Sequence, residues 1–165
     1  MTLDFEALVG PHLKEMYRLA LAIVGPDDAA DVTQDALVAA WRGVGGLRDE
    51  ARARFWLHRI VINRARDVIR ERSRRPRWIR VVDPEAVAGA SRPDSSAEVG
   101  ERDRLDRAFE TLTPDQRAIL ALHYTLDLSI PQVAAALSIR EGTAKSRVHS
   151  AIERLRAAMP DEVSP

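Results

Sequence analysis

The chain has no cysteine among its 165 residues, so disulfide bridges, thiolate nucleophiles and thiolate metal ligands are excluded. A cytoplasmic setting is the simplest expectation for such a chain. No apolar run approaches the roughly 18 residues a membrane span needs. The opening Met1-Thr-Leu-Asp-Phe-Glu6 is acidic and lacks the basic-then-apolar order of a signal peptide. The four histidines, His12, His58, His123 and His149, are scattered without metal-ligand spacing, so no metal is expected. There is also no phosphate-binding loop and no carboxylate cluster, which leaves neither catalysis nor a cofactor supported. Strand patterning is almost absent as well, and an all-α fold is expected.

What remains is a chain that is 45% hydrophobic and 30% charged, sized for one or two small packed domains. Its formal net charge of zero conceals strong segregation. Arg52 to Arg80 holds eleven arginines against Asp67 and Glu71. Val81 to Glu110 holds eight acidic residues against four arginines, and Arg140 to Arg156 is basic again. Two basic blocks with an acidic spacer between them suggest two contacts with a polyanion.

Apolar spacing predicts three helices in the first half. One covers Phe5 to Val24. Gly25-Pro-Asp27 stops it and starts a second, from about Asp28 to Val44. A glycine-rich loop follows, then a third helix from about Ala51 to Arg75, ending before Pro76. Residues 76–100 are rich in Pro, Gly, Ser and acid and read as a flexible linker, interrupted by Trp78, Ile79, Val81 and Val82. Four further helices are expected: Ala97 to Leu112, Thr113 to Tyr124, one opening at Ser129, and Glu141 to Met159. Thr113-Pro-Asp-Gln116 and Ser129-Ile-Pro-Gln132 both have the form of a capping box. The expected division is therefore 5–75, a linker at 76–100, and 101–160.

The last two of these helices, with a tight turn between them, have the form of a helix-turn-helix, whose second helix enters the DNA major groove. Gly142, Thr143, Lys145, Ser146, Arg147 and His149 lie in the first two turns of that second helix. Lys145 and Arg147 can reach phosphates or guanine edges, and Thr143 and Ser146 can bond phosphate or base. Gly142 and Ala144 are small enough for the helix end to sit deep in a groove. Val133, Ala134, Leu137, Ile139, Val148 and Ile152 are expected to face inward and hold the pair of helices at its angle.

The third helix carries Arg59, Asn63, Arg66, Arg70, Arg74 and Arg77 at spacings of three and four, which places them on one face. Its buried side should be Leu57, Ile60, Val61, Ala65, Val68 and Ile69. A basic stripe of this kind suits a nucleic-acid strand. Phe55 and Trp56 at its start are expected in the core rather than as base platforms. On the second helix Asp31, Gln34 and Asp35 share a face, with Ala30, Leu37, Val38 and Trp41 nearby. The helix dipole accounts for acids at this end; docking on a basic helical partner would use them too.

Asp31-Val-Thr-Gln-Asp35, Phe55-Trp-Leu-His-Arg-Ile-Val-Ile-Asn-Arg-Ala-Arg-Asp67 and Gly142-Thr-Ala-Lys-Ser-Arg147, in that order, resemble a bacterial sigma factor of the extracytoplasmic-function type. The resemblance covers about residues 5 to 75 and 100 to 158. It implies two small helical domains, region 2 and region 4, joined by a linker. It further implies that Asp31, Gln34 and Asp35 dock on the clamp coiled coil of the β′ subunit of core RNA polymerase, with the β flap as a further contact. The loop Gly43 to Ala51 would capture a flipped base of the −10 element. Arg59, Asn63, Arg66 and Asp67, with Arg70 and Arg74 on the same helix, would face that element. The helix-turn-helix residues would read the −35 element, and an anti-sigma factor would be a further partner. The chain departs from the family in having Pro131-Gln132 before the first helix-turn-helix Ala, Arg140 at a typical capping position, and Ser150 where an Arg is common.

A conventional regulator, with the same helix-turn-helix behind a helical sensor or dimerisation domain, is the alternative. It predicts dimers and palindromic sites. The basic face in the supposed sensor half, together with Asp31 to Asp35, speaks against it.

Overall fold

The computed structural model describes residues 4–74, 104–105 and 107–159, and these contain helices and turns with no strand. The expected linker at 76–100, with Arg77 and Trp78 to Val82, lies outside the described residues, as do residues 97–103 and 106 of the helix expected from Ala97. Residues 107–110 are helical.

The first expected helix is two. Helix α1 (Phe5–Val9) is capped by Asp4, whose carboxylate accepts from the amides of Glu6 and Ala7. A 3₁₀ turn at Gly10–His12 separates it from α2 (Leu13–Val24). Pro11 sits in that turn; it has no N–H to donate, so the chain tightens there. Gly25 ends α2 at φ +86°, a backbone angle that suits glycine, and its amide bonds back to Leu21. Helix α3 (Pro26–Gly43) begins at once, with proline in the first turn and Asp27 and Asp28 beside it. Helix α4 (Ala53–Arg74) follows a 3₁₀ turn at Glu50–Arg52, where Asp49 accepts from the amide of Ala51.

Helices α2, α3 and α4 pack on one another in all three pairings. Met16, Leu19, Ile23, Val32, Leu57, Val61 and Ile62 fill the space between them. On α4, Leu57, Val61 and Ala65 are buried as expected, whereas Ile60, Val68 and Ile69 are half-buried. The full inward set also includes Ala53, His58 and Ile62.

In the second half, both expected capping boxes are present. Thr113 and Gln116 close the start of α5 (Pro114–Leu120), and Ser129 and Gln132 close α6 (Ile130–Leu137). The expected helix to Tyr124 changes hydrogen-bond register instead. Ala121–Thr125 forms a π-helical turn, capped at Leu126, and Asp127 just beyond it has φ +52°. Ser138 takes the left-handed conformation that turns the chain from α6 into α7 (Glu141–Ala158).

The two halves share one continuous core. Helix α2 packs on α5 and the π-helical turn, and α4 packs on α5 and α6. Polar ties cross the seam: Arg18 donates to the carbonyl of Thr125 at 2.8 Å, and Arg117 to that of Ile23 at 3.1 Å.

Candidate nucleic-acid interface

In the helix-turn-helix, α6 and α7 pack through Val133, Ala134 and Val148, all buried, and through half-buried Leu137, Ile139 and Ile152. The start of α7 presents Gly142, Lys145, Ser146, Arg147 and His149 to solvent, with Thr143 half-exposed. Ala144 is fully buried: it faces the protein and not a groove, because it lies one helical turn before Val148 on the packed side. Arg140, as the residue before the helix, makes no side-chain cap. Amide donors therefore remain uncapped by that side chain at an end already flanked by cations, an arrangement that favours an anion.

On α4, Arg59, Asn63, Asp67, Arg70 and Arg74 are exposed, and Arg66 is half-buried. The stripe is less positive than its sequence count. Asp67 lies between Arg64 and Arg70, at 3.8 and 4.0 Å. Arg66 Nε donates to Asp115 Oδ1 at 2.6 Å, and its Nη1 donates to Asn63 Oδ1 at 3.2 Å. Asp28 pairs with Arg72, and Glu15 holds Arg54 through two bonds of 2.9 Å. Acids from α2, α3 and α5 thus neutralise arginines that have few acidic neighbours in sequence. Arg59 and the tip of α4 at Arg70 and Arg74 remain exposed for phosphate.

Between α3 and α4, a 3₁₀ turn at Val44–Gly46 and the residues up to Asp49 form a short projecting loop. Gly45, Gly46, Arg48, Asp49 and Glu50 are exposed and Leu47 is half-buried. Phe55 and Trp56 are half-buried against the core, in keeping with the expected packing role. A Cβ added at Gly43 would lie 3.4 Å from the Trp56 ring, so the loop leaves α3 close over that indole.

Asp31, Gln34 and Asp35 are exposed on the outer face of α3. The same face continues through Val38 and Trp41, and Trp41 is 65% exposed. On neighbouring α2, Leu13 and Tyr17 are exposed too; with Gln34 and Leu37 they line a shallow groove. Leu13 and Tyr17 belong to the apolar pattern of the first helix, but that pattern is wider than the surface α3 and α4 cover. The surplus apolar width was the sequence signal for a second contact face on α2. Among the described residues no cluster of His, Cys, Asp or Glu could hold a metal ion, and no helix is long and apolar enough to cross a membrane.

A model of sigma-70 region 2 matches residues 8–75, and a model of sigma-70 region 4 matches residues 102–155. The ECF RNA polymerase sigma factor SigM of Mycobacterium tuberculosis is 36% identical over 152 residues, spanning 92% of this chain and 74% of the relative. The chain belongs to the extracytoplasmic-function sigma factors. A sigma-E factor of Streptomyces avermitilis is 34% identical over 160 residues, covering 93% of this sigma factor and 84% of that one. The fold is that of the sigma factor RpoE of Bartonella quintana, solved with the anti-sigma factor NepR. It matches at TM-score 0.68 and 26% identity, over 98% of this sigma factor and 99% of that chain. CnrH, solved with the cytosolic domain of CnrY, matches at TM-score 0.67 and 27% identity over 97% and 89%. This sigma factor is accordingly a promoter-specificity subunit of RNA polymerase. Its α4 stripe and loop fall in the region 2 match, and its helix-turn-helix falls in the region 4 match.

Proposed function

We propose that this sigma factor works in the cytoplasm by binding alone, through three surfaces, and catalyses no reaction. Residues 5–75 form the unit that docks on polymerase and holds the −10 element, 76–100 the linker, and 101–160 the unit that holds the −35 element. Asp31, Gln34 and Asp35 dock on the β′ clamp coiled coil, with Val38 and Trp41 as the apolar part of the same contact; the β flap receives the second unit. An exposed Trp beside carboxylates has the composition of an interface anchor.

Arg59, Asn63, Arg66, Asp67, Arg70 and Arg74 face the −10 element, and the loop from Gly43 to Ala51 takes up an unstacked base. Gly142, Thr143, Lys145, Ser146, Arg147 and His149 hold the −35 element in duplex form. Strand separation needs no nucleotide hydrolysis in this scheme, because unstacking a base costs a few kcal/mol, which pocket and phosphate contacts can offset. An anti-sigma protein is a further partner. The groove at the seam, where Leu21, Leu105 and Tyr124 are exposed, is an apolar surface open to it.

The observation that carries this reading is the presence, on one chain, of an uncapped cationic helix start in the helix-turn-helix and a separate cationic helix beside an acidic and apolar docking face. The test is transcription by purified bacterial core polymerase on a genomic promoter library, with and without the protein, with co-elution scored in parallel. Co-elution and protein-dependent start sites are expected. Tight duplex binding by a dimer of the protein alone, without co-elution, would favour the conventional regulator.

A further inference from the structure

The surface proposed for −10 DNA is partly occupied by the chain itself. Arg66 lies on that face, and its guanidinium is held by Asp115 of α5, the first full helix of the other half. Helix α6 of the helix-turn-helix also packs directly on α4. Packed helix axes lie about 8–10 Å apart. Since α6 touches both α4 and α7, the axes of α4 and α7 are on the order of 20 Å apart. Elements centred near −10 and −35 are separated by about 85 Å of duplex at roughly 3.4 Å per base pair. The packed arrangement cannot read both at once.

We propose that Asp115 is an intramolecular stand-in for a DNA phosphate. By pairing with Arg66 it latches the two halves in a closed state that masks the α4 face, and the latch opens when Arg66 is released. The proposal rests on the −10 assignment of α4 made above. A carboxylate and a phosphate oxygen compete for the same guanidinium donors, so binding of one excludes the other. The closed state is also held by Arg18 on Thr125 and Arg117 on Ile23. These bonds join α2 to the second half and involve no residue of the α4 stripe, whereas the Asp115 contact engages that stripe directly and so couples closure to the DNA face. The 29 residues between Arg74 and Arg104 are enough chain to let the halves part, at about 3.3 Å per residue.

Because the protein has no cysteine, Glu6→Cys and Ala157→Cys, both at exposed positions, give two unique dye sites for energy transfer in the full chain. Asp115→Arg should lower transfer efficiency, and adding Arg66→Asp should restore it by rebuilding the pair with reversed charge. Transfer unchanged by Asp115→Arg, or lowered and not restored by the charge swap, overturns the latch. A second arm uses a degenerate single-stranded DNA 15-mer at low salt. Asp115→Asn should tighten its binding about two- to fivefold, the range expected for losing a competing, partly exposed ion pair. Lowered transfer in Asp115→Asn without tighter binding overturns the masking role. In that case Arg66→Ala in the Asp115→Asn background separates the two ideas: lost affinity keeps the −10 assignment of α4, and unchanged affinity removes it.

Discussion

Arg117 reaches from the second half to donate its Nη1 to the carbonyl of Ile23, 3.1 Å away in the last turn of α2. A cation there satisfies a carbonyl at the helix end and complements the negative end of the dipole. The same guanidinium donates to the carbonyls of Phe109 at 2.9 Å and Glu110 at 3.1 Å. Burial lowers its pKa from the ordinary arginine value, with Glu110 acting in opposition, and the group remains charged. Replacing Arg117 with Met should destabilise the protein by about 2 kcal/mol in urea unfolding, since charge-assisted bonds are lost at a partly buried site. Lysine should recover little of it, because a single ammonium cannot reproduce the fork. A loss below about 0.5 kcal/mol would show that water replaces the three bonds.

Glu15, His58 and Arg54 form a second polar device, between α2 and α4. His58 is fully buried, and its Nε2 lies 3.1 Å from Glu15 Oε2 while Nδ1 has no partner. A neutral ring that donates from Nε2 fits both observations, leaving only an acceptor unpaired. Burial pushes the His58 pKa down from 6.5 to about 4; Glu15 opposes this, and Arg54 and His12 add to it. The folded state thus holds a neutral ring where the unfolded chain takes up a proton. Stability should be complete above pH 6.5 and fall as pH drops toward about 4, by an amount on the order of 3 kcal/mol. Burial raises the pKa of Glu15, but its bonds and charge interactions with Arg54 and His58 outweigh burial and lower it below 4.5. Its own contribution is present above 4.5 and declines at lower pH. The interval from about pH 5 to 6.5 therefore isolates His58. There, urea midpoints of the parent should slope with pH, and those of His58→Gln should be nearly flat. Equal slopes would place the titrating group elsewhere.

The two capping boxes offer a local test. Thr113→Ala and Ser129→Ala should each cost about 1 kcal/mol. For a protein of this size that is a fall of about 3 °C in Tm. Gln116→Ala should cost less, because it removes only the return bond from the Thr113 amide at 3.0 Å; Gln132→Ala removes the bond from the Ser129 amide at 2.9 Å and also the one from the Ser129 hydroxyl at 3.1 Å, and should cost more than Gln116→Ala. Unchanged melting in the serine and threonine variants would mean that neighbouring tertiary contacts, not the caps, set the starts of α5 and α6.

For the docking face, Asp35→Arg and Trp41→Ala should each weaken binding to core polymerase by tenfold or more while leaving the far-ultraviolet spectrum native. Trp41 is 65% exposed and buries little in the free protein, so its removal should leave the fold intact. Full affinity in either variant would move polymerase docking off that part of α3.

Lys145→Ala should weaken promoter-dependent transcription. Promoters altered at −35 show which contact it makes. If Lys145 reads a base, the substitution should matter less where that base has been changed. An equal loss on every promoter would make its contact a phosphate contact.

Much of this architecture was legible in the chain because it rests on local physics. Gly25-Pro26 separates α2 from α3 through one residue's freedom and the next one's rigidity. Both capping boxes read directly as helix starts, since each is closed within four residues. Exposure of Lys145, Ser146 and Arg147 followed from periodicity once Val148 and Ile152 were placed inward. The turn at Gly10–His12 and the π-helical register at Ala121–Thr125 did not follow in the same way. There, a shift of hydrogen-bond register is decided by what the segment packs against.

The sequence by itself determined the helices, their caps, the two basic segments, and the absence of thiol chemistry. Tertiary structure decided which charges survive. Arg54, Arg66 and Arg72 belong to a segment with two acids of its own, yet Glu15, Asp115 and Asp28 meet them from three other helices. It also decided that Leu13, Tyr17 and Trp41 stay at the surface and that the two halves share one core. The reason is range. Helix periodicity and capping act over three or four residues, whereas an ion pair or an apolar contact depends on the proximity of residues as far apart in sequence as Arg66 and Asp115, which only the packed chain brings together.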